Sequence, residues 1–143
     1  MWTKIETNEE LEEFMSLFRY FHDGCIKEMK YYSGAFINED LSMHPINDQR
    51  RLNVVIQCQQ EDNSMVELLF EGLKQLCLYP VNDLFTCEIL KASMFFKDGN
   101  IYWCDKEIST RMEFDNFEGL LICATTVQWR CIEKKMGCDE FYK

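Results

Sequence analysis

His22 and Asp23 stand side by side in the stretch FHDGC, and a histidine beside an aspartate can ligate a divalent metal. A metal needs more donors than these two. The only other histidine is His44, in MHPIND. Two histidines and scattered carboxylates are the donor types of a facial triad, but no spacing of a metal motif joins them, and neither a metal nor another cofactor is expected. A plainer chemistry is also open. Asp23 can bond nearby backbone donors, and Gly24 can take a positive φ where a helix hands over to a strand. His22, Asp23 and His44 are therefore candidates either for a functional site or for a structural turn.

Other catalytic templates are absent. There is no G-x-S-x-G elbow, and six glycines leave little material for a phosphate-cradling loop. The eight cysteines, Cys25, Cys58, Cys77, Cys87, Cys104, Cys123, Cys131 and Cys138, contain no C-x-x-C pair, and most sit within apolar, strand-like runs. Buried free thiols acting as small hydrophobes are the expectation, ahead of a metal site or disulfides. Cys–His catalysis would need His22 or His44 to meet a thiol activated by local positive charge. Carboxylate pairs such as Glu39–Asp40 and Asp105–Glu107 belong to a set of 25 acids, most of them expected on a solvated surface. Tyr31, Tyr32, Tyr102, Trp103 and Trp129 fall at strand spacing, which suits core and cross-strand packing better than base stacking.

The elements that must position these residues are legible in outline. TNEELEEFMSLFRYF opens with Thr7 three residues before Glu10, a capping box, and Leu11, Phe14, Met15 and Phe18 form one apolar stripe. Glu9, Glu10, Glu12 and Glu13 favour the positive end of that helix, which should finish near Tyr20. From Cys25 the period falls to two. CIKEMKYY reads as a strand, followed by a long polar loop to residue 50. RLNVVIQCQ places Leu52, Val54, Ile56 and Cys58 on one face, and MVELLFEG places Val66, Leu68 and Phe70 on one face. LKQLCLYP continues or bends that strand after Gly72. CEILKASMFF and IYWCDKE flank Asp98-Gly99, a turn that needs positive φ. In LLICATTVQWRCI, Leu121, Cys123, Thr125, Val127 and Trp129 alternate onto one face. The tail should be less regular. One helix and about seven strands within residues 1–143 indicate a single α+β domain, the helix packed on a curved, mainly antiparallel sheet or sandwich.

Charge narrows the partner. The formal net charge is −10, with acids outnumbering bases by 10 to 5 in residues 1–50, 7 to 4 in 51–100 and 8 to 6 in 101–143. A surface of that sign repels nucleic acid and anionic lipid and favours a cationic protein. No run approaches a membrane span and the N-terminus does not read as a signal peptide, so a cytoplasmic protein is expected. Asp105, Glu107 and Asp115, with Glu39 and Asp40 of the long loop, are the candidate acidic rim of a partner-binding face.

The run FHDGCIKEM, LNVVIQCQ, VELLFEGLKQLCL, EILKASMFFKDGNIYWCD and EGLLICATTVQWR resembles a family of small uncharacterised bacterial cytosolic proteins, over about residues 20–142. More distantly it is similar to toxin-immunity proteins of the immunity protein 50 type, in the FHD entry and in an F-x-G strand end, here FEG at Phe70–Gly72. The nearer resemblance implies no activity. The distant one implies a non-enzymatic module that inhibits a bacterial toxin by binding it, and the acidic charge suits a basic one. The alternative is a small enzyme or a small-ligand or metal-binding protein built on His22 and His44.

Overall fold

A computed structural model describes residues 1–108, 118–133 and 136–143. Asp115 lies outside the described residues. The elements, in chain order, are β1 (Thr3–Lys4), α1 (Asn8–Leu17), a 3-10 turn (Arg19–Phe21), β2 (Gly24–Tyr32), β3 (Phe36–Ile37), β4 (Met43–His44), β5 (Arg51–Cys58), β6 (Met65–Leu78), β7 (Ser93–Lys97), β8 (Asn100–Cys104) and β9 (Leu120–Cys131). The fold is α+β: one N-terminal helix packed on a seven-stranded antiparallel sheet ordered β2-β5-β6-β9-β8-β7, with β1 also pairing β9. β3 and β4 form a separate hairpin. Among the described residues no helix is long and apolar enough to cross a membrane.

The helix starts as its sequence dictates. The Glu10 N–H donates to Thr7 Oγ1 at 3.1 Å, and the Glu10 carboxylate accepts from the Thr7 and Glu6 N–H groups at 3.1 and 2.7 Å. Leu11, Phe14, Met15 and Phe18 are all buried. Phe14 and Phe18 lie 5.3 and 5.6 Å from Trp129, ring centre to ring centre. The helix ends at Leu17 rather than Tyr20. Arg19, Tyr20 and Phe21 swing into the left-handed region, with φ of 51°, 53° and 60°. Each such residue costs about 1 kcal/mol, which burial of Phe18 and Phe21 offsets.

At the next corner the positive φ belongs to Asp23 (58°), and Gly24 is not among the residues in that region. Gly24 serves close approach instead. A Cβ there would stand 2.9 Å from the Phe21 carbonyl oxygen and 3.3 Å from that of Gln57. Ile89 bridges to Gly24, its N–H donating to the Gly24 carbonyl at 2.7 Å. The segment leading into edge strand β7 thus lies against edge strand β2, and the sheet curls toward closure.

β6 runs unbroken through Gly72, which takes φ 64° opposite Thr125. The alternation expected in β9 does not persist across this point. Leu120, Ile122 and Ala124 join the core at one end, and Val127 and Trp129 at the other, so the buried face slips by one residue at exposed Thr125–Thr126. A register shift between Leu73 and Gln75 on β6 accompanies the bend. β7 begins at Ser93, six residues after the expected Cys87, because Tyr79 to Ala92 form a long connection. Asp98 and Gly99 make the anticipated turn, with φ of 53° and 77°. β5 starts at Arg51, so β6 outruns it: Leu52 faces Phe70, and the last link is the Leu73 N–H to the Arg50 carbonyl at 2.9 Å.

Candidate functional site

His22 and Asp23 secure the corner between α1 and β2. His22 Nδ1–H donates to the Leu90 carbonyl at 2.8 Å, and the Asp23 N–H donates to the Ile89 carbonyl at 3.0 Å. The Gln59 N–H reaches the Asp23 carbonyl at 3.3 Å, and His22 Nε2 lies 3.3 Å from Asp23 Oδ2. It is the Asp23 backbone, rather than its side chain, that meets backbone partners. Both side chains are more than half exposed, while Phe21 beneath them is wholly buried against Phe18 and Trp103.

His44 does a similar service elsewhere. Its ring stacks on Phe36 with centres 5.0 Å apart, and Nε2 lies 3.1 Å from Asp48 Oδ2, which braces the β3–β4 hairpin. The two histidines are attached at opposite ends of β2, whose nine residues extend roughly 26 Å at about 3.3 Å each. Among the described residues, no group of three or more His, Cys, Asp or Glu side chains is placed to hold a metal.

The four described carboxylates of the expected rim fall into separate settings. Asp105 is half-buried; its Oδ1 accepts the Leu120 N–H at 3.0 Å, tying the exit of β8 to the start of β9. Burial pushes its pKa up. Glu107 is exposed and pairs with Lys91 at 3.1 Å. Asp40, at the tip of the hairpin, accepts the Ser42 hydroxyl and N–H at 2.6 and 2.9 Å, and those bonds hold its carboxyl below its ordinary range. Glu39 beside it is exposed. Among the described residues, no hydrogen bond or ion pair links Asp105 or Glu107 to the β3–β4 hairpin.

Two features escaped the sequence. One is an apolar end. Of seventeen large apolar side chains exposed among the described residues, thirteen fall between Tyr31 and Ile46 or between Leu76 and Phe85. β2 and β6 both run antiparallel to β5, so the loop after Tyr32 and the overhang of β6 leave the sheet at the same end. Between them lies a groove of about 500 Å³ lined by Tyr31, Asn47, Arg50 and Leu73–Leu76. Two further grooves, of about 400 and 380 Å³, lie over Ile5, Phe96 and Val127 and beside Gln59–Asn63. The sequence showed Tyr31, Phe36, Leu76 and Leu78 as apolar. Only the mismatch in length between β5 and β6 shows that they stay uncovered.

The other is Glu67, which is 2% exposed on the sheet face opposite α1. Arg130 Nη2 and Nε donate to its Oε1 at 2.6 and 2.7 Å, Asn53 donates to Oε2 at 3.1 Å, and the Tyr142 hydroxyl donates to the same oxygen. Burial, then the Glu67 carboxylate, push the Tyr142 pKa up. Glu28 accepts the N–H groups of Phe141 and Tyr142 at 2.6 and 3.1 Å, and the Gly137 carbonyl accepts from Lys27 and Gln57 at 2.8 and 3.2 Å. The C-terminal tail is thereby strapped over β2, β5 and β6.

A helix on a bent antiparallel sheet, with exposed apolar side chains gathered toward one end among the described residues, defines an α+β protein. Comparison with protein-family models, with curated proteins and with solved structures finds no match to the chain.

Proposed function

We propose that this chain is a protein-binding module, an immunity-type protein that neutralises a basic bacterial toxin by holding it. The observation that carries the reading is the clustering of exposed apolar side chains at one end of the sheet, on the β3–β4 hairpin and on the β6 overhang with its following loop. Exposed apolar side chains gathered toward one part of a surface favour contact with a partner. Aromatic and aliphatic side chains of this kind supply the buried centre of an interface. The net charge of −10 supports a cationic partner, because it accelerates encounter with one and suppresses wrong pairings. The distant likeness to toxin-immunity proteins points the same way.

The test is affinity capture from a bacterial lysate with the intact protein, alongside Phe36→Asp and Ile37→Asp variants. Both side chains are more than half exposed, so the variants should melt close to the parent. The expected result is a basic partner whose binding weakens at least about tenfold in either variant. Capture of nothing, or of a partner indifferent to both substitutions, overturns the reading.

A further inference from the structure

The overhang of β6 is an incomplete piece of sheet. Past the bulge at Lys74, the strand pairs with β9 on one side from Gln75 to Leu78, Leu76 facing Ile122 and Leu78 facing Leu120. On its other side β5 has already ended, and among the described residues no backbone group bonds to this edge beyond the Leu73–Arg50 link. Ile122 and Leu120 are buried core residues, so Leu76 and Leu78 extend the core row by one strand and then stop, 37% and 54% exposed. The open position continues the line of β5, and the 500 Å³ groove begins at this place.

The electrostatics of the position are opposite to those of the molecule. On a chain of net charge −10, the described residues lining the groove include two cations, Arg50 and Lys74, and no carboxylate. Neither cation makes an ion pair or a side-chain hydrogen bond with a described residue. The acids nearest in sequence are engaged elsewhere, Asp48 beside Arg50 with His44 and Glu71 before Lys74 with Gln128. A second copy of the chain, paired edge to edge about Leu76, would set Lys74 against Leu78 and leave all four cations without acids. Charge complementarity therefore favours a different occupant.

We propose that the Lys74–Leu78 edge of β6 receives an extended segment of the protein partner as an added strand, with apolar side chains at alternate positions and at least one carboxylate. The ladder groups supply general affinity, the alternate apolar side chains cover Leu76 and Leu78, and the carboxylate meets Arg50 and Lys74. The proposal deepens the binding reading and rests on it. A partner that is basic overall satisfies both, because long-range charge governs encounter while the local carboxylate fixes register.

The test uses the intact protein as bait for a phage-displayed library of random decapeptides, followed by amide chemical-shift mapping with the best synthetic peptide. Enriched sequences should alternate apolar residues and carry Asp or Glu, and the shifts should concentrate on Leu73–Tyr79. Arg50→Glu and Lys74→Glu should each weaken the peptide about tenfold, and peptide N-methylation at alternate residues should abolish binding. Both variants lie on exposed positions, and a melt checks that they fold. Enrichment of basic peptides, shifts centred on the β3–β4 hairpin or elsewhere, indifference to both variants, or no enrichment each overturns the proposal. If the toxin-like partner binds while the edge stays silent, only this inference falls. If an acidic peptide binds the edge but no basic partner is captured, the immunity reading falls and the edge remains.

Discussion

A carboxylate that is 2% exposed survives in a fold only if its charge is answered, and Glu67 is answered by Arg130, Asn53 and Tyr142. Glu67→Ala removes the acceptor that all three share. Breaking a buried ion pair costs about 3–5 kcal/mol, and the 40% exposure of Arg130 brings the expected loss to the lower end of that range. The measurement is urea unfolding, with hydrogen exchange at Phe141 and Tyr142 reporting release of the tail. Unchanged stability and unchanged protection would refute the strap. Burial also pushes the thiols of Cys58 and Cys104 up to about 11. Their folded pKa exceeds the unfolded one, so the stability they contribute is intact below about pH 9 and is lost as pH rises toward 11. At pH 8 an alkylating reagent should label exposed Cys87 and Cys138 and leave Cys58 and Cys104 unmodified until the protein unfolds. Equal labelling of all four by mass spectrometry would contradict the buried-thiol assignment.

Among the elements, the joint between β6 and β9 holds the most information. Gly72 combines φ 64° with a Thr125 Oγ1 standing 2.5 Å from where a Cβ would sit. Gly99 also has a positive φ, 77°, but has nothing within 4 Å. Gly99→Ala should therefore cost about 1 kcal/mol for conformation alone, and Gly72→Ala about 2–3 kcal/mol because the clash adds to it. Thermal or denaturant melts of the two variants decide this, and equal losses would mean that the bend tolerates a side chain. The same joint marks the limit of what the residues declare in order. The capping box at Thr7, the buried stripe of α1, the Asp98-Gly99 turn and the inward faces of β5 and early β6 are local signals, and all appear as read. The slip of the buried face at Thr125–Thr126 is set by curvature imposed from a neighbouring strand. The burial of Glu67 is set by a tyrosine 75 positions away. Strict alternation, which assumes a flat strand with one wet face, places Glu67 in solvent and keeps Thr125 in phase with Val127.

At the scale of the whole molecule, the charge of −10 and the apolar end act over different distances, and kinetics can separate them. Unscreened acidity reaches a partner before contact, with a Debye length of about 10 Å at 0.1 M salt and about 3 Å at 1 M. The apolar end acts only after contact. If the acidity steers a basic partner, association should slow at least about tenfold between 0.05 and 0.5 M salt, while dissociation changes less than about threefold. Glu39→Lys and Glu107→Lys should lower the association rate and leave the melting temperature nearly in place, since both side chains are exposed. Asp105→Lys belongs to another class. It removes the acceptor of the Leu120 N–H and sets a cation in a half-buried site, so it should melt lower whatever the partner does. Stopped-flow or surface-based kinetics with the captured partner at two salt concentrations provide the measurement. Salt-independent association would show that the acidity serves solubility alone, and would leave the apolar end of the sheet as the sole structural support for the immunity reading.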